Sequence, residues 1–377
     1  MEPIYLDFNA TTSIDPQVAD AMLPFLKQKF GNPSSFHWFG IISKKAVLKA
    51  RKQVANLINC KPEEIVFTSS GTESNNYALR GYAFANRHKG NHIITSVIEH
   101  PAIIEVCKYL EKYDFKVTYL PVDRNGLVSV KSIEKTITKD TILISIMHAN
   151  NEVGTIQPIA EIAEIANENG ICLHTDAAQS LGKIPVDVAK LNIDLLSIAG
   201  HKIYAPKGIG ALYVKQGTKL EKLIYGAKQE YNCRAGTENV LEIVGLGKAC
   251  EIAKQKFSES STHMKKMRDK LWNGLVNEIP DLKLNGHPKL RLPNTLNVSF
   301  LNMNEYFQIS LFLEVAASAG AACHSNNIMF SPVLEAMKVP KEYAKGTIRF
   351  STGRTTTDKE IESAIKYITK IYNDQIR

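Results

Sequence analysis

No stretch of this sequence approaches the ~20 consecutive apolar residues that a membrane-spanning helix needs, so no membrane partner is expected. No two of its six cysteines form a Cys-x-x-Cys pair, which argues against a zinc ribbon and a thioredoxin-type redox couple. No Gly-x-Gly-x-x-Gly follows an early strand, which discounts a nicotinamide dehydrogenase. Internal repeats and low-complexity segments are also missing. The opening Met1-Glu2-Pro3 runs directly into a strand-like Ile4-Tyr5-Leu6, without the pattern of a signal or transit peptide. A cytoplasmic location is the expectation.

The charge balance is positive, at +8, yet no nucleic-acid motif accompanies it and the lysines and arginines are scattered. The densest basic stretch, Lys44 to Lys52, interleaves with Ala46, Val47 and Leu48 and reads as the solvated face of a helix. Nucleic acid is therefore not an expected partner. A basic surface suits an anionic cofactor or an acidic protein.

A chain of 377 residues predicts two domains with ample cores. Its middle alternates strand and helix patterns. Residues 64–68, 92–97, 117–122, 141–147, 171–175, 195–198 and 210–214 read as strands, with helices at 72–86 and 159–169. Buried β-branched runs separated by helices imply an α/β fold with a mostly parallel sheet covered on both faces. Such sheets bind ligands at the carboxyl ends of their strands. From about residue 255 the texture changes to a long polar helix (257–275), short strands near 295–300 and 347–351, and a terminal amphipathic helix (358–372). A smaller α+β domain is expected there.

Four local signals fall at strand ends. Lys202 closes Ser197-Ile198-Ala199-Gly200-His201-Lys202. A free ammonium is costly to bury, and that cost disappears when the amine condenses with an aldehyde. Asp176, in His174-Thr175-Asp176-Ala177-Ala178-Gln179, ends a strand where a carboxylate can face a pyridine nitrogen; alone, it reads rather as a helix cap. Thr68-Ser69-Ser70-Gly71-Thr72-Glu73 is a strand, small-residue turn and helix start that suits a phosphate. His100 follows a fourth strand, where an imidazole can stack on a ring and move protons. Each signal is common by itself; together they point to pyridoxal phosphate.

The same residues, in their order, resemble the cysteine desulfurases and selenocysteine lyases of the fold-type-I, class-V aminotransferase-like pyridoxal-phosphate enzymes. The resemblance runs nearly the whole chain. It includes Tyr5-Leu6-Asp7-Phe8-Asn9-Ala10-Thr11-Thr12, Gly31-Asn32-Pro33-Ser34-Ser35, Gly71-Thr72-Glu73-Ser74-Asn75-Asn76 and His148-Ala149-Asn150-Asn151-Glu152-Val153-Gly154. Arg234-Ala235-Gly236-Thr237-Glu238-Asn239 and Ile348-Arg349-Phe350-Ser351 extend it.

The resemblance implies a fold-type-I transferase with a seven-stranded, mostly parallel sheet in a large domain over residues 16–254. The small domain comprises 1–15 and 255–377. It implies Lys202 as the Schiff-base lysine, Asp176 as the pyridinium partner, and Gln179 and Asn151 on the ring's phenolic oxygen. His100 stacks on the ring, while Gly71, Thr72 and His201 bind the phosphate, with Thr237 reaching across from a second subunit of a homodimer. Asn32 and Arg349 bind substrate, Arg349 clamping its carboxylate. The composition of Ser318-Ala319-Gly320-Ala321-Ala322-Cys323-His324-Ser325-Asn326-Asn327 predicts an exposed, mobile loop, and there Cys323 matches the catalytic cysteine. The implied reaction turns L-cysteine into L-alanine and leaves a persulfide on Cys323, for a sulfur-acceptor protein such as an iron–sulfur scaffold. Cys107, Cys172 and Cys250, among apolar neighbours, are expected to be buried and inert.

Two departures qualify the match. Desulfurases usually carry a serine three residues before the lysine, where this chain has Ala199; Lys228 is a candidate substitute but is expected on the surface. The word around Cys323 and the apolar residue at 199 are more like selenocysteine lyases. Release of selenide and L-alanine from L-selenocysteine is thus the alternative activity.

Overall fold

The structure is a computed structural model that describes residues 3–303, 305–324 and 327–376; the side chains at 305, 321–329 and 376 lie outside that description. The chain enters on β1 (Ile4–Tyr5). It then builds a large sheet from β2 (Ile65–Thr68), β3 (His92–Ser96), β4 (Lys116–Leu120), β5 (Thr141–Ser145), β6 (Cys172–Asp176), β7 (Leu195–Ala199) and β8 (Gly210–Val214). The spatial order is β2-β8-β7-β6-β5-β3-β4. β8 alone runs against its neighbours; β7, β6, β5, β3 and β4 pair in parallel. The expected seven-stranded, mostly parallel sheet is the one observed.

Strand alternation explains why those runs looked uniformly apolar. In β3, β5 and β7, Ile94, Ile144 and Leu196 enter a core beneath the helices Trp38–Ile58 and Val240–Gln255. Their neighbours Ile93, Leu143 and Leu195 point the other way, into a core with Tyr77, Leu79 and Ile103. With period two and both faces covered, successive positions are all buried, and the polar residues among them pair internally, as His174 Nε2 does with Ser197 Oγ at 3.0 Å. The helix expected over 72–86 is interrupted. Gly71–Asn76 is α-helical, Tyr77–Gly81 forms a π-turn, and Tyr82–Ala85 resumes the α-helix. At Gly81 a Cβ would lie 2.8 Å from the Glu221 carbonyl, so a passing segment presses on this turn.

A separate apolar core forms beyond residue 255. β9 (Lys283–Asn285), β10 (Thr295–Ser299), β11 (Val315–Ala316), β12 (Ser318–Ala319), β13 (Ala321–His324), β14 (Asn327–Phe330) and β15 (Thr347–Ser351) follow in sequence. β12-β15-β10-β9 make an antiparallel sheet, and β1 pairs with β11. The helices Phe257–Glu278 and Asp358–Ile376 supply Leu271, Leu275, Ile361 and Ile368 to a core with Phe300, Phe307 and Phe350. Ile4 and Leu6 of the amino-terminal segment join it. The segment around Cys323, expected as a loop, is a backbone hairpin: β13 pairs antiparallel with β14, Cys323 opposite Ile328. The apolar Ile328-Met329-Phe330 run supplies the second strand.

No helix among the described residues is long and apolar enough to cross a membrane.

Candidate active site

The carboxyl ends of β2, β3, β5, β6 and β7 converge on a cavity of about 340 Å³. Its wall includes Asn9, Gly71, Thr72, His100, Asn151, Asp176, Gln179, His201, Lys202 and Arg349. Most of the expected site residues therefore meet. A larger cavity of about 480 Å³ lies at the opposite edge of the sheet, beside Cys172, Asp194 and Lys215; none of the four strand-end signals reaches it.

Lys202 closes the short turn Gly200–Lys202 directly after β7. Its Nζ donates to the carbonyls of Asn9 at 2.6 Å and Ala10 at 2.7 Å. Burial first, and the Arg349 charge second, push its amine down to about 8, against weaker upward pulls from Asp7 and Asp176. Asp176 ends β6. Asn75 Nδ2 donates to its Oδ2 at 2.7 Å and the Ala178 N–H to its Oδ1 at 2.8 Å. That carboxylate is thereby oriented at the cavity wall, and among the described residues it forms no ion pair with a lysine or arginine.

His100 caps the helix Pro101–Glu111, its Nδ1 accepting the Ala102 N–H at 3.1 Å. This fixes the neutral tautomer with its proton on Nε2. Burial, helped by Lys202 and opposed by Asp176, lowers its pKa. His201 Nδ1 pairs with Thr11 Oγ1 at 3.1 Å, and burial with two nearby lysines pushes it down to about 4. Gly71 lies against Ala199: a Cβ at 71 would sit 3.1 Å from the Ala199 methyl. The residue that departs from the usual serine thus packs directly on the helix start.

Arg349, on β15, reaches in from the other core. It donates to the Asn151 carbonyl at 3.0 Å, Asp7 Oδ1 at 2.8 Å and Ser318 Oγ at 2.6 Å. Its Nε is buried without a hydrogen-bond partner, so the fork retains a donor that the protein does not use. Asp7, Asn9, Asn75 and Ser318 were not singled out from the sequence, although three of them sit inside words that carried the resemblance. Nothing in a lone Asp or Asn announces a partner more than a hundred residues away.

Two expected residues do not line the cavity. Asn32 is exposed, its side chain accepting the Ser34 N–H at 2.9 Å. Thr237 is exposed and outside the cavity of its own chain. Lys228 is on the surface, as expected. The side chains of Cys323 and His324 lie outside the described residues. Cys107, Cys172 and Cys250 are buried.

These residues fit pyridoxal phosphate. A buried amine of lowered basicity and an oriented carboxylate line one cavity of ordinary size for a small-molecule site. The Arg349 guanidinium at the cavity wall adds a cation for a substrate carboxylate.

Comparison with known proteins agrees. The aminotransferase class-V family model matches residues 4–363. Over 370 residues the chain is 50% identical to the cysteine desulfurase IscS of Dictyoglomus turgidum, covering 98% of this chain and 94% of that protein. A solved NifS-like protein superposes with a TM-score of 0.93 at 40% identity, over 99% of this chain and all of its own. SspA, solved in complex with cysteine, gives a TM-score of 0.82 at 37% identity, covering 94% of this chain and 100% of that one.

Proposed function

Because the chain belongs to the class-V aminotransferase family, we infer that it is a pyridoxal-phosphate-dependent cysteine desulfurase that converts L-cysteine to L-alanine. The observation that carries this reading is the meeting of Lys202, Asp176 and Arg349 in one cavity of a chain half identical to a cysteine desulfurase. The two-domain division at residues 16–254 against 1–15 and 255–377 is part of the same proposal, supported by the separate cores.

When bound, pyridoxal phosphate supplies an aldehyde for amine capture and a ring that draws electrons from the substrate Cα. Lys202 would hold it through its Nζ, and the lowered basicity of that amine suits Lys202 to take the proton from the substrate Cα. Asp176, steadied by Asn75 and the Ala178 N–H, keeps the ring nitrogen protonated. Gln179 and Asn151 serve its phenolic oxygen, His100 covers its face, and Gly71, Thr72 and His201 hold its phosphate. Arg349, anchored by Asp7 and Ser318, clamps the substrate carboxylate, with Asn32 as a further substrate contact. The Cys323 thiolate attacks the substrate sulfur. The Cβ–S bond breaks with its electron pair kept by the carbon fragment, which takes up protons and leaves as alanine. Cys323 is left as a persulfide, and thiol exchange passes the sulfur to an acceptor protein such as an iron–sulfur scaffold.

A homodimer, with Thr237 serving the partner's phosphate site, is part of the proposal. It is supported by exposed aromatic side chains near one another in sequence, of the kind that mark interaction sites when they cluster: Phe36 is 96% and Phe30 77% exposed, and Phe39 contacts both Phe30 and Trp38.

The test is an assay of the purified protein on L-cysteine and L-selenocysteine, measuring alanine with sulfide or selenide. Alanine and sulfide from cysteine, lost in Cys323→Ala, are expected. Turnover of selenocysteine alone would replace the desulfurase with a selenocysteine lyase.

A further inference from the structure

The reaction leaves one buried lysine unused. Lys183 is 5% exposed, and its Nζ donates to Asn9 Oδ1 at 3.2 Å and Gln179 Oε1 at 2.9 Å. Both acceptors are uncharged. The charges that act on it, Lys202 and Arg349, are cations, and with burial as the main cause they hold its amine well below the usual lysine range. A buried ammonium without a carboxylate is costly. A neutral amine has two N–H donors, and this site offers two oxygens.

The orientation of both acceptors is fixed from their far sides. Asn9 Nδ2 donates to the Asn151 carbonyl at 3.1 Å and to Thr295 Oγ1 at 2.8 Å, which turns its Oδ1 toward Lys183. Gln179 Nε2 donates to the Asn9 carbonyl at 3.0 Å, which turns its Oε1 the same way. A backbone carbonyl only accepts, so neither carboxamide can be reversed without breaking a bond. The Asn9 carbonyl that receives Gln179 also receives Lys202 at 2.6 Å. Gln179 lines the cavity and retains one N–H for whatever binds there.

We propose that Lys183 is a positioning residue: by holding Gln179 Oε1 and Asn9 Oδ1 it sets the Gln179 carboxamide so that an N–H, and not an oxygen, is offered to the ring oxygen of the bound cofactor. The proposal rests on the pyridoxal-phosphate reading above. With Lys183 gone, only the bond to the Asn9 carbonyl still holds the carboxamide; its Oε1 side is loose, its N–H is aimed less firmly at the ring oxygen, and that oxygen becomes more basic.

The readout is the visible absorbance of the holoenzyme as a function of pH. In Lys183→Met, nearly the same shape without the donor, the titration midpoint of the lysine-bound cofactor rises by about one unit, the tenfold expected for one hydrogen bond to a charged oxygen. Gln179→Leu gives the same rise, and the double variant gives no more than either single change, because the two act in series. A lysine that only filled space would leave the midpoint where it is. A wild-type midpoint in Lys183→Met, or shifts that add in the double variant, overturns the proposal. Should Lys183→Met not fold, Lys183→Gln replaces it; one bond shorter, it cannot span both oxygens, and a smaller rise is expected, with an unchanged midpoint again overturning the proposal. A wild-type holoenzyme without a visible band defeats the cofactor reading itself, whereas a normal band with unchanged midpoints defeats only the role of Lys183.

Discussion

The basicity of Lys202 makes the sharpest quantitative demand on this site. Its amine lies at about 8 rather than at the ordinary 10.5. At about pH 7.5 roughly a quarter of it is then neutral, against about one part in a thousand for a solvent-exposed lysine, a ratio of some 200-fold. Only the neutral amine condenses with an aldehyde. Capture of pyridoxal phosphate by the apoprotein should therefore rise with pH through a midpoint near 8 and level off above it, in step with loss of the ammonium proton. Arg349 is the second cause of the lowered value. Arg349→Gln removes its charge, strengthens the ammonium form and moves the midpoint of capture upward. The assay is stopped-flow absorbance on mixing apoprotein with cofactor across the pH range, with hydride trapping to locate the adduct. A free alkylamine run in parallel accounts for titration of the cofactor itself. A capture midpoint near that of an ordinary lysine, an Arg349→Gln midpoint that does not rise, or an adduct on another lysine would refute the reasoning.

Three further outcomes follow from packing and pairing. Asp7→Ala removes the carboxylate that anchors the Arg349 fork at 2.8 Å; KM for cysteine should rise roughly tenfold, the worth of one charge-assisted hydrogen bond, with a smaller change in kcat, and equal losses in both would contradict a binding role. Glu230→Ala strands Arg51, since the two form a buried ion pair with side chains 4% exposed on each side, and should cost about 3–5 kcal/mol in urea unfolding; replacing both by apolar residues should recover most of it. Gly247→Ala puts a Cβ 2.5 Å from the Ala50 Cα, where the helices Trp38–Ile58 and Val240–Gln255 touch. A loss of about 1–3 kcal/mol with an unchanged cofactor spectrum is expected from thermal unfolding.

Much of this architecture is a local property of the chain. Runs such as Thr141-Ile142-Leu143-Ile144-Ser145 carry their own strand signal, because a strand covered on both faces keeps apolar residues at successive positions, here Ile142, Leu143 and Ile144. The placement of Lys202 and Asp176 immediately after such runs put both at the carboxyl edge of the sheet before any contact was known. Boundaries were less legible: the helix expected over 72–86 has a π-turn at Tyr77–Gly81, and the small, polar stretch around Cys323 pairs its backbone with Asn327–Phe330. Composition weighs small and polar residues toward loops, whereas pairing also depends on an apolar partner strand that composition does not align.

What the sequence determined by itself is the order of strands and helices and the residue at the end of each, since hydrophobic period and turn chemistry act between neighbours. What only the tertiary structure decided is which distant groups meet there. Asn9 carries the carbonyl that receives Lys202, Asp7 anchors Arg349, Asn75 steadies Asp176, and Lys183 is interior rather than on the surface. Those contacts join segments up to 342 residues apart. They have no period to read: Asn9 meets Lys202 and Lys183 because the two cores close on one crevice, whereas Asp7 with Arg349 and Asn75 with Asp176 are brought together inside one core, and in each case buried polar groups satisfy one another.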